Sequence, residues 1–234
     1  MSEMFSQGLA RVYENLQNRT TNEFADYLFK PEDGTKYQFR FLAEEDGFVI
    51  FKEHSYIPVM FPKSDGSKVQ GHVSFFCKGT PDCPVCKTKT IDPKTGVEKN
   101  LRPRDLMAIP IYVIESKKPK RGKGDEIDPV ERPYILALPG GKNKTIWKQV
   151  LDASDLRKTL TDRDYILQRS GKGMDTVWSI QSLDPSTFDY NEVEPLNVEE
   201  VLKNSGRWKL PDEVERLQIV TDEAPSSNNI ANNL

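Results

Sequence analysis

The chain has 234 residues, with 33 Lys and Arg against 36 Asp and Glu, a net charge of -3 and 36% hydrophobic residues at a mean hydropathy of -0.63. That length suits one domain of moderate size with appendages. No apolar run approaches the roughly 18 residues of a membrane span, and MSEMFSQGLA lacks the basic and apolar regions of a secretory signal, so a cytoplasmic protein with no membrane partner is expected.

Residues 3–17 place Phe5, Leu9, Val12 and Leu16 four, three and four apart, one apolar stripe of a helix. Residues 20–34 read as a loop ending in Pro31-Glu32-Asp33-Gly34. Lys36 to Leu42 (KYQFRFL) alternates polar and apolar as a half-buried strand does. Further strands are expected from Phe48 and over Val69–Phe76. Leu106–Ile114 (LMAIPIYVI) is a strongly apolar strand in which Pro110 marks a bulge or an edge. The lysine-rich stretch SKKPKRGKGDEIDP after it reads as a loop. Tyr134–Leu138 is a strand, Lys144–Ala153 a helix with Ile146, Trp147 and Val150 on one side, and Tyr165–Arg169 with Thr176–Ile180 a hairpin. Phe39, Phe41 and Trp147 are core candidates. Beyond Pro185 one or two short acidic helices and a polar tail are expected.

The pattern predicts a mainly β protein, an OB-fold barrel with an inserted zinc-binding subdomain and peripheral helices. Its parts are a lead-in over 1–34, a core over 35–183 containing the zinc subdomain at 55–104, and an acidic C-terminal region over 184–234. Charge is segregated along it. Residues 78–124 hold 12 Lys and Arg against 5 Asp and Glu, and residues 184–234 hold 4 against 11. A basic middle suits a polyanion, and an acidic end suits competition with it or recruitment of partners.

All three cysteines and both histidines lie within residues 48–87. Cys83-Pro84-Val85-Cys86 is a C-x2-C knuckle, Cys77 supplies a third thiolate, and one histidine completes a Cys3His set for a single structural Zn2+. A redox pair would follow a strand and open a helix, whereas this knuckle follows a Gly-Thr-Pro-Asp turn. His72 is nearer in sequence, but it stands an odd number of residues from Cys77 on an extended segment and so points to the other face. His54 can reach from a neighbouring strand and is favoured, with His72 as the alternative.

Catalytic signatures fail. The deaminase H-x-E is missing at both histidines, and Gly141-Lys142-Asn143 is no phosphate loop, so no enzyme is expected. Binding is better supported. Single strands need cations for phosphates and aromatic faces for bases. Tyr56, Phe76, Lys78, Arg102, Arg104, Tyr112, Lys117, Lys118, Arg121, Arg169, Lys172 and Trp178 supply both types.

Four segments, in order, resemble the single-stranded DNA-binding (helix-destabilising) protein family of T-even-type phages. They are Tyr37 to Leu42, Phe48 to Tyr56, Cys77 with Asp82 to Cys86, and Gly141 to Trp147. The resemblance spans about residues 35–180. It implies an OB-fold cleft for single-stranded DNA, zinc held by His54, Cys77, Cys83 and Cys86, and a basic turn that adds Lys142 and Lys144 to the contacts. It further implies roles in phage replication, recombination and repair inside the infected host, with replication or recombination proteins meeting the acidic C-terminal region. The chain departs from the family pattern at its N-terminus, where Arg11 and Arg19 are matched by Glu3 and Glu14. An RNA-binding regulator on the same fold and a zinc-stabilised protein–protein adaptor are the alternative readings.

Overall fold

The computed structural model describes residues 23–62, 65–79, 83–91, 98–119, 124–139, 145–171, 176–194, 196–209 and 218–219. In chain order these form α1 (Glu23–Asp26), β1 (Lys36–Phe41), β2 (Val49–Pro62), β3 (Lys68–Phe76), α2 (Pro84–Lys87), β4 (Lys89–Ile91), β5 (Glu98–Asn100) and β6 (Arg104–Lys118). Then follow β7 (Glu126–Pro139), α3 (Thr145–Arg157), β8 (Arg163–Ser170), β9 (Val177–Pro185), α4 (Val198–Asn204), β10 (Trp208–Lys209) and β11 (Gln218–Ile219). The protein is mainly β. Its described residues divide into two compact units, one of 23–51 and 105–207, the other of 52–104 and 208–219.

The first unit is an open antiparallel sheet in the order β7, β6, β1, β8, β9. Alternation in β1 sends Tyr37, Phe39 and Phe41 to one face, where they meet Met107, Ile109, Ile111 and Val113 of β6 and Tyr165 and Leu167 of β8. Phe39, Phe41 and Tyr165 pack at ring separations of 4.7–5.7 Å. Each such ring contributes about 2 kcal/mol by leaving water. Helix α3 seals this face with Ile146 and Val150, and Trp147 Nε1 donates to Leu138 O at 3.3 Å. The core candidates Phe39 and Phe41 are fully buried, and Trp147 packs against the same cluster.

Three expectations about elements need correction. Pro110 marks neither an edge nor a bulge: β6 lies between β1 and β7, Pro110 opposes Ile135, its carbonyl accepts from Leu42 N at 3.0 Å, and the shift falls at Val113/Glu115. The lysine-rich stretch is shorter as a loop, because β6 runs to Lys118 and β7 begins at Glu126. Ladder hydrogen bonds override weak local β preference there. Residues 20–34 hold a helical turn, and Tyr27 and Phe29 bond Ile135 across β7. Between the knuckle and β6, β4 and β5 pair as a short antiparallel ladder from Lys89↔Asn100 to Ile91↔Glu98.

Glu44 ties the turn after α3 to the sheet. Its carboxylate accepts from Thr159 Oγ1 (2.6 Å), Leu160 N (2.8 Å), Thr161 N (3.2 Å) and Thr161 Oγ1 (2.6 Å). Burial works against the charge, but these bonds outweigh it and hold the carboxyl below its ordinary value of 4.5. A lowered folded value means stability that is fully present above the unfolded value and is lost as pH falls through the folded one. Glu44→Ala is expected to lower unfolding free energy by about 2 kcal/mol at pH 7. It should also flatten the loss of stability below pH 4.5 in urea titrations; an acid limb like that of the parent chain would contradict this.

The second unit is built on the antiparallel pair β2–β3, from Glu53↔Phe76 to Pro62↔Lys68. Near its tip Asp65 Oδ1 accepts from Ser67 N at 2.9 Å around Gly66, whose positive φ of 81° suits glycine. β10 joins β3 in parallel at Ser74 and Phe75, and β11 joins β2 at Val59 and Met60. Ile57, Val59, Val73, Phe75, Cys83 and Val85 make its core. Buried Glu53 is clamped by the Arg104 guanidinium and by Trp208 Nε1.

Candidate functional site

In the second unit, β2 delivers His54 to a buried position opposite Phe75, on which the imidazole stacks at 5.1 Å. The ladder shifts just beyond, between His54 and Ile57. Cys77 follows β3 and is fixed by its own amide, which donates to Lys52 O at 2.8 Å. The chain then turns through Gly79, at a φ of 86°, whose amide donates to Cys77 Sγ at 3.3 Å. Cys83 precedes α2, and that helical turn brings Cys86 round beside it. Local sequence thus sets three donors, and one strand pairing sets the fourth.

His54 Nε2 stands 3.4 Å from both Cys83 Sγ and Cys86 Sγ, Cys77 Sγ stands 3.5 Å from Cys86 Sγ, and all four donor atoms lie within 4.8 Å of one another. Tetrahedral bonds of about 2.3 Å to sulfur and about 2.0 Å to nitrogen would separate sulfurs by about 3.8 Å and place nitrogen about 3.5 Å from sulfur. The donor set therefore fits one structural metal ion and offers no protein-free fourth position. His72 faces solvent on β3 opposite Pro58, so the histidine of the cluster is His54.

Burial holds Cys77, Cys86 and His54 of this cluster in their neutral forms. Burial pushes the Cys86 thiol up to about 12, reinforced by Cys77 and Cys83, and burial also raises Cys77. Burial lowers the His54 imidazole, partly opposed by Glu53, which keeps a neutral nitrogen available as a ligand. Three crowded thiols ionise together only when a cation replaces their protons. His54 Nδ1 is buried without a hydrogen-bond partner among the described residues, so its ring is oriented by the Phe75 stack.

The proposed nucleic-acid contacts fall on both units. In the second, Phe76 is half-buried with its ring 5.7 Å from Trp208, Lys78 and Arg102 are exposed, and Arg104 is bound to Glu53. In the first, Lys117 pairs with Glu115 at 2.7 Å and Lys118 with Glu32 at 3.0 Å. Lys117 also stands across from Lys36, which stands across from Gln168, so one end of the sheet gathers Lys36, Lys117, Lys118 and Arg169. Arg169 opposes Trp178 and reaches Pro31 O at 3.5 Å, while Trp178 leans on the core cluster. Arg121, Lys142, Lys144 and Lys172 lie outside the described residues, as does the side chain of Tyr56.

Tyr112 has company that sequence reading missed. It lies on the sheet face opposite the core, across from Arg40, and its ring meets Phe188 edge-on at 5.2 Å. Phe188 in turn meets Tyr190 at 4.9 Å, and the Arg40 guanidinium sits 5.1 Å from the Phe188 ring. Tyr190 is 39% exposed. Burial raises the Tyr112 phenol, with Glu131 and Glu192 adding to it. Arg40 itself is buried against Asp164 and Ser186, so it anchors the strap at 186–190 and cannot meet a phosphate. The alternation Phe188-Asp189-Tyr190 inside an acidic stretch was the available signal.

No family model matches the chain, and neither does any curated protein or solved structure. Among the described residues no helix is long and apolar enough to cross a membrane.

Proposed function

We propose that this protein binds single-stranded DNA with little sequence preference, on an OB-type barrel whose companion unit is held by one structural zinc ion. The family this reading favours is that of the T-even-type phage helix-destabilising proteins, with roles in replication, recombination and repair. The observation that carries it is the aromatic row of Tyr112, Phe188 and Tyr190 on the face of the sheet away from the core. Rings presented on a sheet face suit base stacking, which tolerates any sequence because every base has a π-face. Lys36 and Arg169 at one end of the first unit's sheet, and separately exposed Lys78 and Arg102 of the second unit, are of the cation type that phosphates require. The thiolate-rich donor set favours zinc among the common structural metals, because tetrahedral Cys3His is a closed zinc arrangement. Choice of His54 over His72 agrees with what the family resemblance implies.

The test is competition. Labelled oligo(dT) bound to the protein is displaced with unlabelled single-stranded DNA, RNA of equal length and duplex. Phe188→Ala is expected to weaken the single-stranded complex about tenfold, the value of one stacked base, with little change in melting. Preferential displacement by RNA would support the regulator reading instead, and unchanged affinity in Phe188→Ala would remove the aromatic row from the interface.

A further inference from the structure

Within the first unit, β9 is an edge strand: among the described residues it pairs with β8 alone. Native sheets cover or blunt such edges. Here α3 covers part of it, because Gln149 Oε1 accepts from Ile180 N at 2.8 Å. That bond shows the Ile180 amide pointing away from β8. Ladder alternation then turns the amide and carbonyl of Ser182, two residues on, to the same outer side. There the helix supplies no cap, and instead a hollow of about 210 Å³ opens, bordered by Ala153, Leu156 and Arg157 of α3 and by Ile180 and Ser182.

The hollow has features of a binding pocket. A cavity of about 150 Å³ is enough for a benzene ring, so this one accepts one aromatic or branched side chain. Leu156 at its lip is 75% exposed. Tyr165 lines it too, fully buried, with a hydroxyl that has no hydrogen-bond partner among the described residues. Burial pushes that phenol up to about 12, so it remains a donor at neutral pH. Arg157 has no carboxylate partner among the described residues, whereas Asp152 is already held by Lys148 at 2.8 Å.

We infer that the β9 edge beside α3 is a docking groove for an extended acidic peptide of a partner protein. The peptide adds as a strand at Ser182, seats one apolar side chain in the hollow, and places a carboxylate two residues along on Arg157. Strand addition supplies main-chain hydrogen bonds, and the pocket for alternate side chains supplies selectivity. The spacing of two follows from side chains alternating along a strand. The groove is distinct from the aromatic row and uses none of its residues.

The test uses the full chain and a blocked peptide, acetyl-Thr-Phe-Thr-Glu-Thr-Val-amide, beside its Glu→Gln form and free benzoate. Backbone amide shifts and hydrogen exchange are followed by NMR, with oligo(dT) affinity measured on the same samples. The peptide is expected to bind saturably, to shift amides of α3 and β9, and to slow exchange at Ser182. Arg157→Gln should weaken the Glu peptide about tenfold, leave the Gln peptide unchanged, and leave DNA affinity unchanged. Tyr165→Phe should weaken the peptide without lowering the melting temperature. No saturable shift at millimolar peptide overturns the inference, as does equal affinity of the two peptides. Benzoate binding without peptide binding overturns strand addition, and self-association abolished by Arg157→Gln without peptide binding assigns the groove to a second copy instead.

Discussion

Cys83→Ser is expected to empty the metal site and to unfold the second unit while leaving the first sheet folded. Cys83 is one of four donors, and its side chain is also part of that unit's small core. Among the described residues that core has six buried members, so an ion held by the four donors would carry a large share of the unit's stability. In small metal domains the apparent binding free energy is itself folding free energy, about 10–16 kcal/mol in zinc-finger peptides. The loss here is expected to exceed about 4 kcal/mol, beyond the ordinary range for a point substitution. Metal analysis should give one zinc per chain in the parent protein and none in the variant. Fluorescence should report the same event, because Trp208 bonds Glu53 next to His54 and packs on Phe76. An unchanged urea transition in Cys83→Ser, with or without bound metal, would contradict a structural role for the cluster.

The second large effect is expected at Arg40. It is 1% exposed and binds Asp164 through Nε at 2.7 Å, Ser186 O at 3.0 Å, and the Ser186 hydroxyl. Gln38 Nε2 also donates to Asp164, at 2.9 Å. Arg40→Met strands a largely buried carboxylate and removes both Arg40 bonds to Ser186. Among the described residues the strap at 186–190 then keeps only the Ser186 N bond to Asp162 O, the Tyr190 hydroxyl bond to Thr161 O and the Tyr112–Phe188 ring contact. Breaking one side of a buried pair costs about 3–5 kcal/mol. Single-stranded DNA affinity is expected to fall with it, although Arg40 faces no solvent. Pairing the change with Asp164→Leu should restore much of the stability, because an apolar pair of similar volume avoids the desolvation penalty. It should not restore affinity, because the strap still lacks both of its Arg40 bonds and the guanidinium under the Phe188 ring. Recovery of both together would show that the strap plays no part in binding.

The parts of this structure legible in the sequence are those decided locally. β1 is legible because Tyr37, Phe39 and Phe41 alternate with Gln38 and Arg40, and one face of the sheet is buried. Three metal donors are legible because a C-x2-C turn and a cysteine a few residues before it leave few geometries. For the fourth, strand parity favours His54 but leaves His72 open, and only the pairing of β2 with β3 buries His54 and turns His72 to solvent. What stayed hidden depends on pairing between distant segments. Trp208 lies in an acidic stretch, and only parallel pairing with Ser74 of β3 and the bond to Glu53 explain its burial. Phe188 and Tyr190 stand among acidic residues that read as a tail, and only long-range bonds fold that segment back on the sheet: Arg40 to Ser186, Ser186 N to Asp162 O, and the Tyr190 hydroxyl to Thr161 O. Pro110 misled because its missing amide proton argues for an edge, whereas the interior strand uses its carbonyl alone toward Leu42.

The measurement that tests the central claim most directly is a tryptophan-fluorescence titration with oligo(dT), at low and at moderate salt, beside a matched duplex. Trp178 and Trp147 border the core of the first unit, and Trp208 reports on the second. The account predicts saturable quenching by the single strand, a weak response to duplex, and an affinity that falls steeply as salt rises, because phosphate contacts release counterions. No response to the single strand at low salt would contradict it and leave the protein a metal-stabilised binder of other proteins.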